Sequence, residues 1–299
     1  MSGWLDDTSG KGHVATAAQI NLGEAPVFST GVKKFGSSSA YFNKYGGNGS
    51  GGMITIPTSN DFDLSGTWSI SFWAYMQRTQ AIYYGLWSNM AGDNDGMRMF
   101  LYDQDGGGVS EHQTTAGRAS VNMRPFGPVN NTWTHIALSR NQSAGWARGW
   151  VDGVQRYTSA LTGAWSGTSY NSVNQFVIGA MRSSGSAPFN GYIDAFHIED
   201  GISNWSDPFT PPVAAPVATA YSVLLMNFNE TFYKVQGTLS SDARVVVTDE
   251  DSRTIEYDGV ESAGAYSIDV DDNSTKTVTA VRESDGKTLG YGRVVPISV

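Results

Sequence analysis

Cysteine is absent from all 299 residues, which excludes disulfide staples and thiolate metal sites and leaves buried apolar area and backbone pairing to hold the fold. Positive charge is scarce: 19 Lys and Arg stand against 28 Asp and Glu, the net charge is −9, and no basic cluster occurs anywhere. A nucleic acid backbone requires such clusters to displace its counterions, so nucleic acid is excluded as a partner. Long apolar runs are also missing. The longest, YSVLLMNF at 221–228, is far too short to span a bilayer, which excludes membrane insertion by a helix. The first residues, MSGWLDDTSGKGH, carry neither the basic start nor the apolar stretch of a secretory leader, so the chain is expected to fold in a reducing cytoplasm without standard export.

Helical periodicity is lacking as well. Thirty-five Gly separate short β-branched or aromatic runs at near-regular spacing, the pattern of an all-β sandwich. Within Ser69–Met76, Ile70, Phe72, Ala74 and Met76 share one face while Ser69, Ser71, Trp73 and Tyr75 share the other, the period of two of a strand. Aromatics on both faces mark a central strand, one face in the core and the other under a loop or lining a concave surface. In ARGWVDGVQRY, Asp152-Gly153 lies between two strand-like segments and predicts a hairpin with a type I′ turn. Further on, SDPFTPPVAAPVATA gathers Pro208, Pro211, Pro212 and Pro216, which cannot donate to a ladder, so an extended linker or an edge wrap is expected.

Two unequal modules follow from composition. All nine Trp precede position 206, and none occurs from Thr231 onward. Residues 231–299 hold twelve Asp and Glu against seven Lys and Arg, a more acidic balance than the sixteen against twelve of residues 1–230. That tail reads as six or seven short strands, with turns at Asp258-Gly259 and Asp285-Gly286, which fits a small immunoglobulin-like sandwich.

Four stretches, FGSSSAYF at Phe35–Phe42, WSISFWAYM at Trp68–Met76, NTWTHIALSR at Asn131–Arg140 and FNGYIDAFHI at Phe189–Ile198, together resemble the strand signatures of the concanavalin A-like laminin G module. The resemblance implies a laminin G-like jelly-roll β-sandwich over 1–205, a Pro-rich linker over 206–220, a strand over 221–230 and the immunoglobulin-like sandwich over 231–299. In laminin G-like modules of phage structural proteins a strand like YSVLLMNFNE usually opens the domain ahead of a D-x-S-G segment. This chain begins close to that segment, at Asp7-Thr8-Ser9-Gly10, so Ser222–Asn229 is expected to fill the vacant place, on its own domain or on a neighbouring protomer; an unfilled edge would expose unpaired amides. The longer phrase FNGYIDAFHIEDGISNWSDPFTPP is similar to a signature common in phage virion proteins, with His197 where many members carry Arg and Ser203-Asn204-Trp205 where the family favours Ala-Arg-Tyr. The tail phrases GTLSSDARVVVTD and GAYSIDV are similar to prealbumin-like modules of such proteins.

Catalytic groups are hard to find. Glycosidases of this fold carry alternating carboxylates on one strand, because acid and nucleophile must flank the scissile bond. The nearest approach, Asp103, Asp105 and Glu111, is broken by Gly106-Gly107-Gly108. Only His13, His112, His135 and His197 could serve a triad, and no G-x-S-x-G elbow exists; His135 and His197 read as packed strand residues. The chain is therefore expected not to be an enzyme.

Calcium is the metal that the available oxygen ligands fit. Asp93 and Asp95, in Gly92-Asp93-Asn94-Asp95-Gly96, form one candidate site or a plain hairpin turn. Asp194 is the other: alternation puts it on one face with Tyr192, Phe196 and Ile198, where a carboxylate needs a cation or loop amides. Sugars stack on exposed aromatics, and the candidates are Trp165 and Tyr170 in TGAWSGTSYNS and Tyr83, Tyr84 and Trp87 in AIYYGLWSN, residues that equally suit a core. The expected function is a homo-oligomeric bacteriophage virion protein of fibre, tail or capsid, made in the host cytoplasm, that contacts other virion proteins and attaches to host surface glycans. A glycan depolymerase and a ligand-free decoration protein are the alternatives.

Overall fold

Runs that alternate apolar residues with small or polar ones form strands almost throughout. The computed structural model describes residues 3–44, 49–77, 83–90, 96–102, 107–114, 117–122, 130–161 and 174–229, and seven strands between 233 and 298; among these residues no α-helix occurs. Two units are present, Leu5–Asn229 and Glu230–Val299 together with Met1–Trp4.

The larger unit contains β1 Thr16–Ile20, β2 Val27–Ser29, β3 Ser39–Phe42, β4 Gly51–Ile56, β5 Trp68–Met76, β6 Tyr83–Ser88, β7 Gly96–Tyr102, β8 Gly107–Thr114, β9 Gly117–Asn122, β10 Trp133–Asn141, β11 Trp146–Val151, β12 Val154–Ala160, β13 Phe176–Ile178, β14 Gly191–Asp200 and β15 Ser222–Met226. One sheet has the order β1-β4-β13-β6-β7-β8-β9 and the other β12-β11-β10-β5-β14-β3-β2, with β15 added on β14. The two sheets form the sandwich expected from the strand pattern, with the jelly-roll-like arrangement that the family resemblance implies. An aromatic column ties them together. Phe72 on β5 stacks on Phe196 of the same sheet at 5.2 Å, Phe196 meets Phe176 of the opposite sheet at 6.0 Å, and Phe176 stacks on Trp87 at 5.8 Å and on Phe62 at 5.1 Å. Each buried aromatic removes about 150–250 Å² from water, so this column is a large part of the driving force.

Asp152-Gly153 closes the β11–β12 hairpin with both residues at positive φ, 49° and 74°, as a type I′ turn requires. Strand β14 has β5 along one side. Its other side is divided between β3, which pairs with Gly191–Ile193, and β15, which pairs with Phe196–Glu199. Ser222–Met226 thus lies on its own chain, with Leu224 and Met226 fully buried. The DTSG segment borders it: the Thr8 amide donates to the Leu225 carbonyl, and the Leu225 amide to Asp7 Oδ1. The Pro-rich stretch is an edge wrap, not a tether between modules. Phe209 donates its amide to the Gly153 carbonyl, Arg148 donates to the Ser206 carbonyl, and Thr219 Oγ1 donates to Glu199 Oε1 at 2.7 Å.

The described residues of the smaller unit form seven strands, β16 Tyr233–Leu239, β17 Ala243–Asp249, β18 Ile255–Glu261, β19 Gly264–Val270, β20 Lys276–Arg282, β21 Thr288–Val294 and β22 Ile297–Ser298. They form sheets of order β19-β16-β22 and β18-β17-β20-β21. Asp258-Gly259 is not a turn: both residues pair inside β18, opposite Val246 and Val245. Asp285-Gly286 lies outside the described residues.

Candidate glycan-binding face

The outer face of the eight-stranded sheet takes the side chains that alternation turns away from the core. On β14 this alternation is interrupted. Ala195 adopts φ 52° and the β5 register jumps between Asp194 and His197, the signature of a bulge. The extra residue shifts the phase, so Tyr192, Asp194, His197 and Glu199 share the outer face while Phe196 and Ile198 turn into the core. The alternation expected for Asp194 with Phe196 and Ile198 is therefore broken, because the bulge at Ala195 turns those two residues to the other face.

Asp194 is fully buried. Its Oδ2 accepts the amides of Lys34 and Phe35 at 2.9 and 3.0 Å, and its Oδ1 accepts the Ala195 amide at 2.8 Å. Burial raises its pKa to about 6, against the lowering pull of these amides and of Lys34. The loop it holds lies over Trp73, with Lys34 Nζ 3.7 Å from the ring centroid and Phe35 edge-on at 6.1 Å. Loop amides thus provide the partners a buried carboxylate needs. Among the described residues no three His, Asp or Glu gather where a metal could be held, and Asp93 and Asp95 lie outside those residues.

Next to Trp73 on β10, His135 is buried at 5.1 Å from the indole and meets Trp205 and Phe209 of the wrap edge-on at 6.3 and 5.7 Å. Burial, then Lys34, lowers its pKa to about 4. Trp150 lies under the same two rings, each at 6.2 Å. His197 bonds Ser222 Oγ through Nε2 at 2.7 Å, with Glu199 at 3.9 Å. This half of the face is closed.

The other half is open. Register places Tyr41 opposite Tyr192, Tyr192 opposite Tyr75 and Tyr75 opposite Trp133, a row of four half-buried aromatics across β3, β14, β5 and β10. Successive ring centroids are 4.8, 5.6 and 5.6 Å apart. Burial, then the neighbouring phenols of Tyr41 and Tyr75, raises the Tyr192 hydroxyl pKa. Where the same strands end, a cavity of about 370 Å³ is lined by Tyr41, Asn43, Lys44, Gln77, Asn130, Asn131 and Asn190, within the size range of small-molecule sites.

Backbone bonds build its rim. Gln77 and Asn131 donate their amides to the carbonyls of Asn190 and Met76, at 3.0 and 2.9 Å, the Lys44 amide donates to Asn190 Oδ1, and Asn190 Nδ2 donates to the Gln77 carbonyl. Gly191 permits the approach: its φ is 130°, and a Cβ there would stand 2.1 Å from the Tyr75 carbonyl oxygen. Lys44 Nζ donates to the Tyr83 carbonyl at 2.9 Å and stands 4.5 Å over the Tyr84 ring.

Of the aromatics expected to meet sugars, Tyr84 and Trp87 are fully buried and present no face to a ligand. Trp87 stacks in the core column because its position on β6 points between the sheets. Tyr83 is half-buried with its ring edge-on to Phe100 at 5.7 Å. Trp165 and Tyr170 lie outside the described residues. Sequence reasoning missed Tyr41, Tyr75, Trp133 and Tyr192, although each sits in one of the four strand motifs. The signal was their parity, opposite to that of the core residues, combined with their antiparallel register near one end of the sheet.

No curated protein matches the chain. Among solved structures, domain 4 of the extracellular GH43 arabinanase AbnA from Geobacillus stearothermophilus, in complex with arabinotriose, superposes with a TM-score of 0.48 at 18% identity over 68% of this chain and 91% of that one. The enzymatically active domain of tailspike protein 2 from bacteriophage CBA120 superposes with a TM-score of 0.51 at 10% identity, over 68% of this chain and 32% of the tailspike domain. The chain thus spans about a third of that tailspike domain's length, and identity so low establishes a shared fold alone. A laminin G-type family model fits residues 48–207, more than half of the 299, and on that match and the two-sheet frame the chain belongs to the concanavalin A-like lectin/glucanases superfamily.

Proposed function

We propose that the chain is a non-catalytic, glycan-binding virion protein of a bacteriophage, attaching to host surface polysaccharide through the open half of its eight-stranded sheet. The observation that carries the reading is the aromatic row Tyr41–Tyr192–Tyr75–Trp133 beside a cavity rimmed by five carboxamide side chains. Sugars present hydroxyls that are both donors and acceptors on an apolar ring skeleton. Carboxamides, phenols and aromatic carbons together meet both demands.

The virion role is supported by the phrase FNGYIDAFHIEDGISNWSDPFTPP, which resembles a phage virion signature. The sandwich shared with the CBA120 tailspike domain is compatible with it. Seven strands in sheets of three and four fit an immunoglobulin-like module for residues 231–299. Oligomerisation would convert weak single-site contacts into avidity.

The test is a printed array of bacterial surface polysaccharides, probed with the full chain and with Trp133→Ala and Tyr75→Ala, alongside size-exclusion analysis of the bound polysaccharide. Signal that both substitutions weaken, with polymer length unchanged, is the expected result. Shortened polymer would establish the depolymerase instead, and no signal from the unmodified chain would overturn glycan binding. Immunogold labelling of purified phage particles tests the virion assignment separately.

A further inference from the structure

The row of aromatics looks at first like a stacking platform, yet its rings are engaged with one another. Tyr41 and Tyr192 lie 4.8 Å apart with a tilt of only 32°, so each covers a face of the other. Tyr75 turns edge-on to Tyr192, at 82°, and Trp133 edge-on to Tyr75, at 63°. Trp73, the next aromatic inward on β5, has its ring covered by Lys34. A pyranose needs an open ring face to stack, and these mutual contacts leave little of one between the tyrosines.

Side chains on a strand stand roughly perpendicular to the sheet, so the part of a half-buried tyrosine that reaches furthest outward is its hydroxyl. Neighbouring strands are ~4.8 Å apart, so a line from Tyr41 to Trp133 runs about 14 Å across the sheet, longer than a single sugar ring. The carboxamides of Asn43, Gln77, Asn130 and Asn131 flank this line at the strand ends, around the buried Asn190, whose own carboxamide ties Lys44 to Gln77. Phenols and carboxamides share one property: each offers both a donor and an acceptor, so each can pair with a sugar hydroxyl in either sense.

Resting on glycan binding at this face, we infer that the ligand is a run of several hydroxyl-rich sugar units lying across the strands, recognised through the hydroxyl edges of Tyr41, Tyr75 and Tyr192 and the flanking carboxamides, not by stacking on the rings. Such a site discriminates by hydroxyl pattern, because a missing partner strands a polar group of the protein.

Isothermal titration of the full chain with size-fractionated malto-, cello-, xylo-, arabino- and galacturono-oligosaccharides of one to six units tests this directly. For whichever series binds most tightly, affinity is expected to rise at least tenfold from one unit to four. Tyr75→Phe and Tyr192→Phe keep the rings and the fold, and each should weaken binding about threefold to tenfold, the worth of a neutral hydrogen bond; the double variant should lose more than tenfold, with Tm unchanged. If all three Tyr→Phe variants bind like the parent while Tyr75→Ala does not, stacking is the mode and the inference falls, leaving glycan binding intact. A single sugar binding as tightly as a tetramer also overturns it. If no oligosaccharide binds the parent chain, the function proposed above fails with it.

Discussion

One sheet face carries two aromatic neighbourhoods of similar composition and opposite fate. Toward one end, Trp73, His135 and Trp150 are sealed beneath Lys34, Phe35, Trp205 and Phe209. Toward the other, Tyr41, Tyr192, Tyr75 and Trp133 remain half-exposed beside an amide-rimmed cavity. Aromatic content therefore does not distinguish a sealed interior from an open surface here; the covering segments do. The loop over Trp73 is held down by one buried carboxylate, and the wrap over Trp150 by prolines that keep it extended.

The sharpest break in this comparison should come from Trp150→Ala. The side chain is fully buried, so its loss should cost the larger unit about 3–5 kcal/mol in urea unfolding, through lost burial and the cavity left behind. A loss below about 1 kcal/mol, typical of an exposed position, would mean that the wrap does not seal this half.

The sealed half should also reveal itself through pH. Asp194 has its folded pKa raised from 3.8 to about 6, so the stability this contributes is present in full below 3.8 and is lost as pH rises through about 6. His135 has its folded pKa lowered from 6.5 to about 4, so its contribution is present above 6.5 and is lost as pH falls through about 4. The two slopes oppose one another across the same window, each by up to about 3 kcal/mol. Between pH 4 and 6.5 these two contributions largely offset one another in the parent chain, on top of the slopes of Asp6 and Asp200, raised by burial, and His197, lowered by burial. Relative to the parent, Asp194→Asn should tilt stability upward with pH and His135→Gln should tilt it downward, as read from urea midpoints. Parallel profiles in all three proteins would refute the assignment.

On the open half the order of effects reverses. Trp133→Ala should cost only about 1 kcal/mol of stability, as a half-buried position does, yet weaken glycan binding on the array, because Tyr75 loses the ring that packs beside it. Circular dichroism melting against array signal separates the two. A stability loss as large as that of Trp150→Ala would make Trp133 a core residue and void the contrast.

Much of the fold was legible because period-two alternation is local: the faces of Ser69–Met76, the hairpin at Asp152-Gly153 and the aromatic character of both faces of β5 can all be read along the chain. The alternation of β14 was misread because a bulge leaves no mark in composition; Ala195 is an ordinary residue held at φ 52° by tertiary context. Tyr84 and Trp87 were misplaced for a related reason, since loop-like neighbours say little about which side of a strand meets the opposite sheet. The row of Tyr41, Tyr75, Trp133 and Tyr192 draws on four strands separated by up to 151 positions of sequence, and only the register of antiparallel pairing brings them into line.

The smallest expected effect concerns calcium and again divides the molecule. A hard cation of this kind takes six to eight oxygen ligands, whereas both carboxylate oxygens of Asp194 already accept backbone amides, three in all. Treatment with a chelator should therefore leave the Tm of the parent chain unchanged, and Asp194→Asn, which keeps one amide-accepting oxygen, should respond no differently. A chelator-induced drop that disappears in Asp194→Asn would place a cation on the sealed half and mean that its loop is held by metal. A drop that persists in that variant and disappears in Asp93→Asn/Asp95→Asn would place the cation in the Gly92–Gly96 segment instead, leaving the loop over Trp73 fastened by backbone amides alone.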